Sequence, residues 1–129
     1  MDADWGGGGC YLGTPLRTAS YLYELGDDRH GWEYVTPDYY DERMATNLRH
    51  MFFAIQTVAP DMIAAGKGSI VNFGSNSWFE AVAGLPVYAT AKAAVHGMTR
   101  SFARELGKHR IRVNTIVPGW VMTERQKAL

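Results

Sequence analysis

An α/β fold built on a parallel sheet is predicted for this chain, and three observations carry the prediction. Residues 69–74 and 111–117 are short apolar runs, the first set between Gly68 and Gly74 and the second closed by Pro118 and Gly119, as buried strands are. Between them, from Pro86 onward, Val87, Ala91, Val95, Met98, Phe102 and Leu106 recur at three- and four-residue steps, which predicts a helix over 86–106 with Gly107 as its C-terminal cap. Strand, helix and strand in that order make a βαβ unit, parallel and right-handed.

A second helix is predicted over 37–65. Thr36, Pro37 and Asp38 supply a capping hydroxyl, a first-turn proline and an acid near the positive end of the helix dipole. Met44, Leu48, Met51, Phe52, Ile55, Val58 and Met62 continue its apolar stripe, Pro60 is expected to kink or interrupt it, and residues 64–68 turn the chain into the first strand. Asn47 falls mid-helix, where asparagine is an indifferent helix former, so it is either backbone-bonded, solvated or functional.

Residues 1–26 do not share this pattern. Gly6, Gly7, Gly8 and Gly9 invite comparison with a phosphate-cradling loop, but no apolar strand precedes them, and Pro15 stands where the last glycine of such a loop belongs. A flexible glycine-rich lead is expected, followed over residues 11–25 by either a short helix or a strand.

Composition bounds the function classes. The 129 residues suit one domain, 47% hydrophobic and 20% charged, an ordinary globular balance. Thirteen Lys and Arg against thirteen Asp and Glu leave no net charge, hence no electrostatic footprint for nucleic acid or an anionic membrane. Cys10 is the single cysteine, which excludes an intrachain disulfide. No apolar run approaches membrane-spanning length and no secretory leader is evident, so a cytoplasmic location is expected. The four histidines show no metal spacing and are read as core or surface residues, and Arg100, Arg104, Lys108, Arg110 and Arg112 as a solvated face.

The chemistry centres on residues 75–92. Ser75 ends the first strand, and Tyr88 and Lys92 lie one turn apart on the same face of the following helix. A free phenol, with a pKa near ~10, is a poor base at neutral pH. An ammonium held nearby favours the phenolate, and a serine hydroxyl can hold the oxygen of an alcohol or carbonyl. Together the three groups can take a proton from an alcohol while a hydride leaves the same carbon. A Ser-Lys hydrolase is the rival reading of Ser75 and Lys92, but its motif context is not present.

Ser75 thirteen residues before Tyr88, Asn47 upstream, and Ile111-Arg112-Val113-Asn114 leading into Val117-Pro118-Gly119-Trp120-Val121-Met122-Thr123 together resemble the short-chain dehydrogenase/reductase family, over about residues 27–129. The resemblance implies the C-terminal half of a Rossmann-like, doubly wound parallel sheet and a catalytic tetrad of Asn47, Ser75, Tyr88 and Lys92. It gives Asn47 the role of holding a water that links Lys92 to a proton relay. It places Tyr88, Lys92, Pro118, Gly119, Val121 and Thr123 against NAD or NADP, favouring NAD slightly, with no metal. Within the family, Asp27-Asp28-Arg29-His30, Asn47-Leu48-Arg49-His50-Met51 and Asn72-Phe73-Gly74-Ser75-x-Ser77-Trp78 resemble the D-xylose 1-dehydrogenase-like sugar dehydrogenases. That branch implies oxidation of an aldose at C1 to the lactone. Ser75, Ser77, Trp78 and Tyr88 would meet the substrate, with Trp78 serving either as a polyol platform or as packing. The resemblance also implies a homo-dimer or homo-tetramer formed through helices 37–65 and 86–106.

Residues 1–26 depart from the family, which places its glycine-rich pyrophosphate loop and the residue selecting NAD or NADP upstream of this point. Two readings follow: an NAD(P)-dependent alcohol or aldose dehydrogenase, or a truncated, non-catalytic fragment serving at most as a helix-mediated interaction module. The chain by itself is expected to bind neither dinucleotide well.

Overall fold

The computed structural model describes residues 31–122 and 124–127. Helix α1 (Pro37–Met44) starts as its sequence dictates: the Tyr39 amide donates to Thr36 Oγ1 at 3.2 Å, and Pro37 occupies the first turn. A five-residue π turn, Ala45–Arg49, runs without a break into α2 (His50–Ala64). Of the kink or interruption expected at Pro60, the interruption does not occur: α2 runs through it. Pro60 and Gln56 both lie on the exposed side, where water can replace the one lost hydrogen bond, while Val58 and Ala59 are buried opposite and hold the helix in place. The helix ends at Gly66, whose φ of 66° is left-handed; the Gly66 amide donates to the Ile63 carbonyl at 3.0 Å and the Lys67 amide to Met62 at 3.2 Å. This paired arrangement satisfies the last carbonyls and reverses the chain into the sheet.

Strands β1 (Gly68–Phe73) and β2 (Ile111–Ile116) pair in parallel, from Gly68 opposite Ile111 to Phe73 opposite Ile116. Helix α3 (Pro86–Leu106) crosses between them. Gly107 is the C-cap of α3, as expected, but in a right-handed conformation at φ −57°; a 3₁₀ turn, Gly107–His109, carries the chain on to Arg110, which reverses direction at φ 61°. The added turn moves the reversal three residues along, closed by the Arg110 amide donating to Gly107 at 2.9 Å. A short helix α4 (Glu124–Lys127) follows β2.

The core lies on one face of the sheet, where Ile55, Val58 and Ala59 of α2 and Leu106 of α3 pack on Ile70, Ile111 and Val113. Burial therefore alternates along both strands rather than running continuously. Ser69, Val71, Arg112, Asn114 and Ile116 are exposed on the other face, Val71 at 47% and Ile116 at 50%. Parallel strands are ordinarily covered on both faces; among the described residues α2 and α3 cover only one. No helix among the described residues is long and apolar enough to cross a membrane.

Candidate active site

Pairing continues beyond the ends of the two strands. The Gly74 amide donates to the Ile116 carbonyl at 2.8 Å and the Asn76 amide to Pro118 at 3.2 Å. These bonds bring Ser75, Ser77 and Trp78 beside the Pro118–Gly119 turn, at the carboxyl ends of the strands, where open α/β sheets bind ligands. Gly74 lies at a close approach: a Cβ there would lie 2.9 Å from His96 Nε2 and 3.0 Å from Thr115 Cγ2, so those side chains would have to shift. Ser75 is buried, and its Oγ accepts from the Ser77 amide at 3.2 Å and lies 3.0 Å from Ser77 Oγ, a local turn that fixes both hydroxyls. Trp78 is half-buried, its ring centroid 3.6 Å from that of Phe79 and 5.2 Å from that of His96.

Tyr88 and Lys92 project from the first two turns of α3. Lys92 is buried at 7% exposure, and its Nζ donates to the Phe73 carbonyl, the last of β1, at 3.2 Å. The same ammonium lies 5.6 Å from the centre of the half-buried Tyr88 ring. A buried cation needs such partners, because leaving water costs several kcal/mol otherwise. The strand end thus holds the charge beside the phenol.

Asn47 is buried at the centre of the π turn, which packs against α3. Its Nδ2 donates back to the Arg43 carbonyl at 3.0 Å, so the side chain serves the helix backbone. Pi turns inside helices are frequent at functional sites. His50, at the start of α2, carries a pKa lowered from the ordinary 6.5, first by burial and further by the positive charge of Lys92, while hydrogen bonding to the backbone of Ala45 and Thr46 pulls the other way. A depressed imidazole pKa means that the folded state prefers the neutral ring. Its stability contribution is therefore complete above 6.5 and is lost as pH falls from there toward the folded value. Urea titrations at about pH 7.5 and 5.5 are expected to show a stability loss that His50→Gln diminishes; equal losses in the two proteins would rule this out.

The structure therefore places Ser75, Ser77 and Trp78 on the loop that pairs with the Pro118–Gly119 turn, and ties Lys92, with Tyr88 beside it, to the end of β1 that leads into that loop. Asn47 is set on the turn behind α3, Val121 is 60% exposed, and Thr123 lies outside the described residues, as do residues 1–26. Sequence reasoning gave His50 and His96 only core or surface roles. Their spacing, three residues after Asn47 and four after Lys92, places each on the face of its neighbour and was the available signal.

The fold and the site together define part of a parallel α/β domain, with serine, tyrosine and lysine side chains at the carboxyl end of its strands. A short chain dehydrogenase family profile matches residues 28–129, and the chain belongs to that family. It is 54% identical over 101 residues to D-xylose 1-dehydrogenase of Caulobacter vibrioides, covering 78% of this chain and 41% of that protein. Among solved structures it is similar to the TT0495 protein from Thermus thermophilus (TM-score 0.75, 33% identity, 81% of this chain and 45% of that one). It is also similar to a gluconate 5-dehydrogenase from Burkholderia cenocepacia in complex with NADP and tartrate (TM-score 0.73, 33% identity, 78% and 40%). The chain thus spans about two fifths of the length of the curated relatives it matches.

Proposed function

We propose that this chain carries the catalytic half of an NAD(P)-dependent dehydrogenase that oxidises an aldose at C1 to the lactone. The observation that supports this most is the buried Lys92 ammonium, anchored on Phe73 and set beside the Tyr88 ring. The 54% identity to D-xylose 1-dehydrogenase points to the aldose. In this reading Ser75, with Ser77 behind it, holds the C1 oxygen, and Tyr88 takes its proton while Lys92 favours the phenolate. Asn47, on the π turn against α3, completes the tetrad. NAD or NADP, when bound, accepts the hydride. Pro118, Gly119 and Val121 are assigned to its nicotinamide end by resemblance, which their place on the turn paired with Asn76 at the carboxyl ends of the strands supports. Thr123 is assigned to the same contact by resemblance, and Trp78 to the sugar. The pyrophosphate requires amides of a glycine-rich turn, which the described residues do not offer.

The test is a chain joined to a relative's cofactor-binding half and supplied with D-xylose and either dinucleotide, followed by the absorbance of the reduced nicotinamide. Turnover on aldoses is expected, with NAD slightly preferred. A folded, dinucleotide-binding assembly that oxidises no aldose would overturn the proposal.

The protein is further proposed to act in the cytoplasm as a homo-dimer or homo-tetramer. An open groove of 620 Å³ between α2 and α3 is lined by Leu48, Phe52, Phe53, Met98 and Phe102, and Phe52 is 44% exposed. Contiguous apolar surface of this kind marks interfaces. Sedimentation is expected to give a dimer or tetramer that Phe52→Glu dissociates; a monomer at micromolar concentration would contradict it.

A further inference from the structure

We infer that Thr99 is a positioning residue whose hydroxyl sets the height and rotation of α3, and through them the placement of Lys92 and Tyr88. Thr99 is buried at 7%, and its Oγ1 accepts from Asn72 Nδ2 at 2.8 Å and from Thr115 Oγ1 at 2.7 Å. Asn72 and Thr115 are direct partners across the parallel pair. One helical hydroxyl is thereby tied to both strands, with both of its acceptor sites used. Packing alone does not call for this, since valine fills the same space with no polar atom.

The geometry links this hub to the candidate site. Thr99 lies about two turns beyond Lys92 on the same face of α3. Asn72 is the residue before Phe73, whose carbonyl receives Lys92 Nζ. Two anchors on one helix face thus meet consecutive residues of β1. A helix held only by apolar contacts can settle among several ridge-and-groove arrangements. With the hub in place, any such shift strands the amide of Asn72, 5% exposed, away from water. The catalytic consequence rests on the reading of Tyr88 and Lys92 above, but the tie itself does not.

The test therefore reads the ammonium rather than turnover, using ¹⁵N NMR of lysine side chains in the full chain, with Lys92→Met to assign the signal. Thr99→Val is expected to speed exchange of the Lys92 ammonium protons about tenfold or more, as when a local opening is eased by losing hydrogen bonds. Thr99→Ser, which keeps the hydroxyl, is expected to restore the parent rate. Unchanged Lys92 exchange in a Thr99→Val protein that merely melts lower would overturn the inference, as would Thr99→Ser behaving like Thr99→Val. Should Thr99→Val fail to fold, Thr115→Val removes a single bond at a half-buried position; intermediate acceleration supports the tie and none overturns it. In the completed dehydrogenase, Thr99→Val is expected to lower kcat on the order of a hundredfold with little change in KM, the cost of about 1 Å of misplacement. A parent without turnover counts against the proposed function alone, since the ammonium exchange still decides this point.

Discussion

Tyr88→Phe, made in the chain completed with a cofactor-binding half, is expected to abolish turnover while leaving the fold intact. The phenol ring lies over the anchored Lys92 ammonium, so removing one oxygen deletes the proton acceptor and keeps the packing. Loss of a positioned acid/base group costs about a hundredfold or more in rate. Dinucleotide binding and the melting temperature are expected to stay close to those of the parent. Initial rates with saturating substrate provide the measurement; a Tyr88→Phe enzyme within a few-fold of the parent would remove Tyr88 from the mechanism.

Ile111→Ala is expected to have the largest effect on stability. Ile111 is 2% exposed, opens β2 opposite Gly68, and belongs to the cluster that joins α2, both strands and the end of α3. Truncating such a side chain removes its burial and leaves a cavity, together about 2–5 kcal/mol. Gly68 has no side chain to lean into the space. Since whole domains are stable by only about 5–15 kcal/mol, the variant should unfold at far lower urea or fail to accumulate folded. A midpoint shift equivalent to less than about 1 kcal/mol would show that the core lies elsewhere.

Local chemistry was the most legible part of the sequence. The start of α1 at Thr36 and Pro37, the span of α3 and the parallel pairing of β1 and β2 follow from capping, periodicity and connection rules, and each is present within a residue of its expected bounds. The spacing of Tyr88 and Lys92 on one helical face is likewise a property of sequence alone. What could not be read depends on three-dimensional neighbours. Whether Pro60 breaks a helix depends on which side of α2 faces water, and although Gly107 caps α3, the chain reverses only at Arg110, after a further turn. The Asn72–Thr99–Thr115 hub joins residues up to 43 positions apart (115 − 72), and nothing local in an asparagine on a strand or a threonine on a helix announces a shared hydrogen bond. Continuous apolar character along residues 69–74 suggested burial on both faces, whereas exposure alternates because only α2 and α3 cover the sheet among the described residues.

The π turn at Ala45–Arg49 bears on which sequence changes this chain can absorb. A π turn amounts to one residue more than a regular helix needs, and each residue advances the helical phase by about 100°. The stripe that α1 presents is therefore out of phase with that of α2, and the mismatch is taken up where Asn47 sits. Deleting any one residue between Ala45 and Arg49 would let the segment anneal into an uninterrupted α-helix. Because the widened turn absorbs the extra residue, the deletion would leave Arg43 and Thr36 facing much as before and would remove only the wide turn in which Asn47 is buried against α3. The length of this segment thus decides whether the wide turn exists at all, while the faces that α1 and α2 present survive a change of one residue.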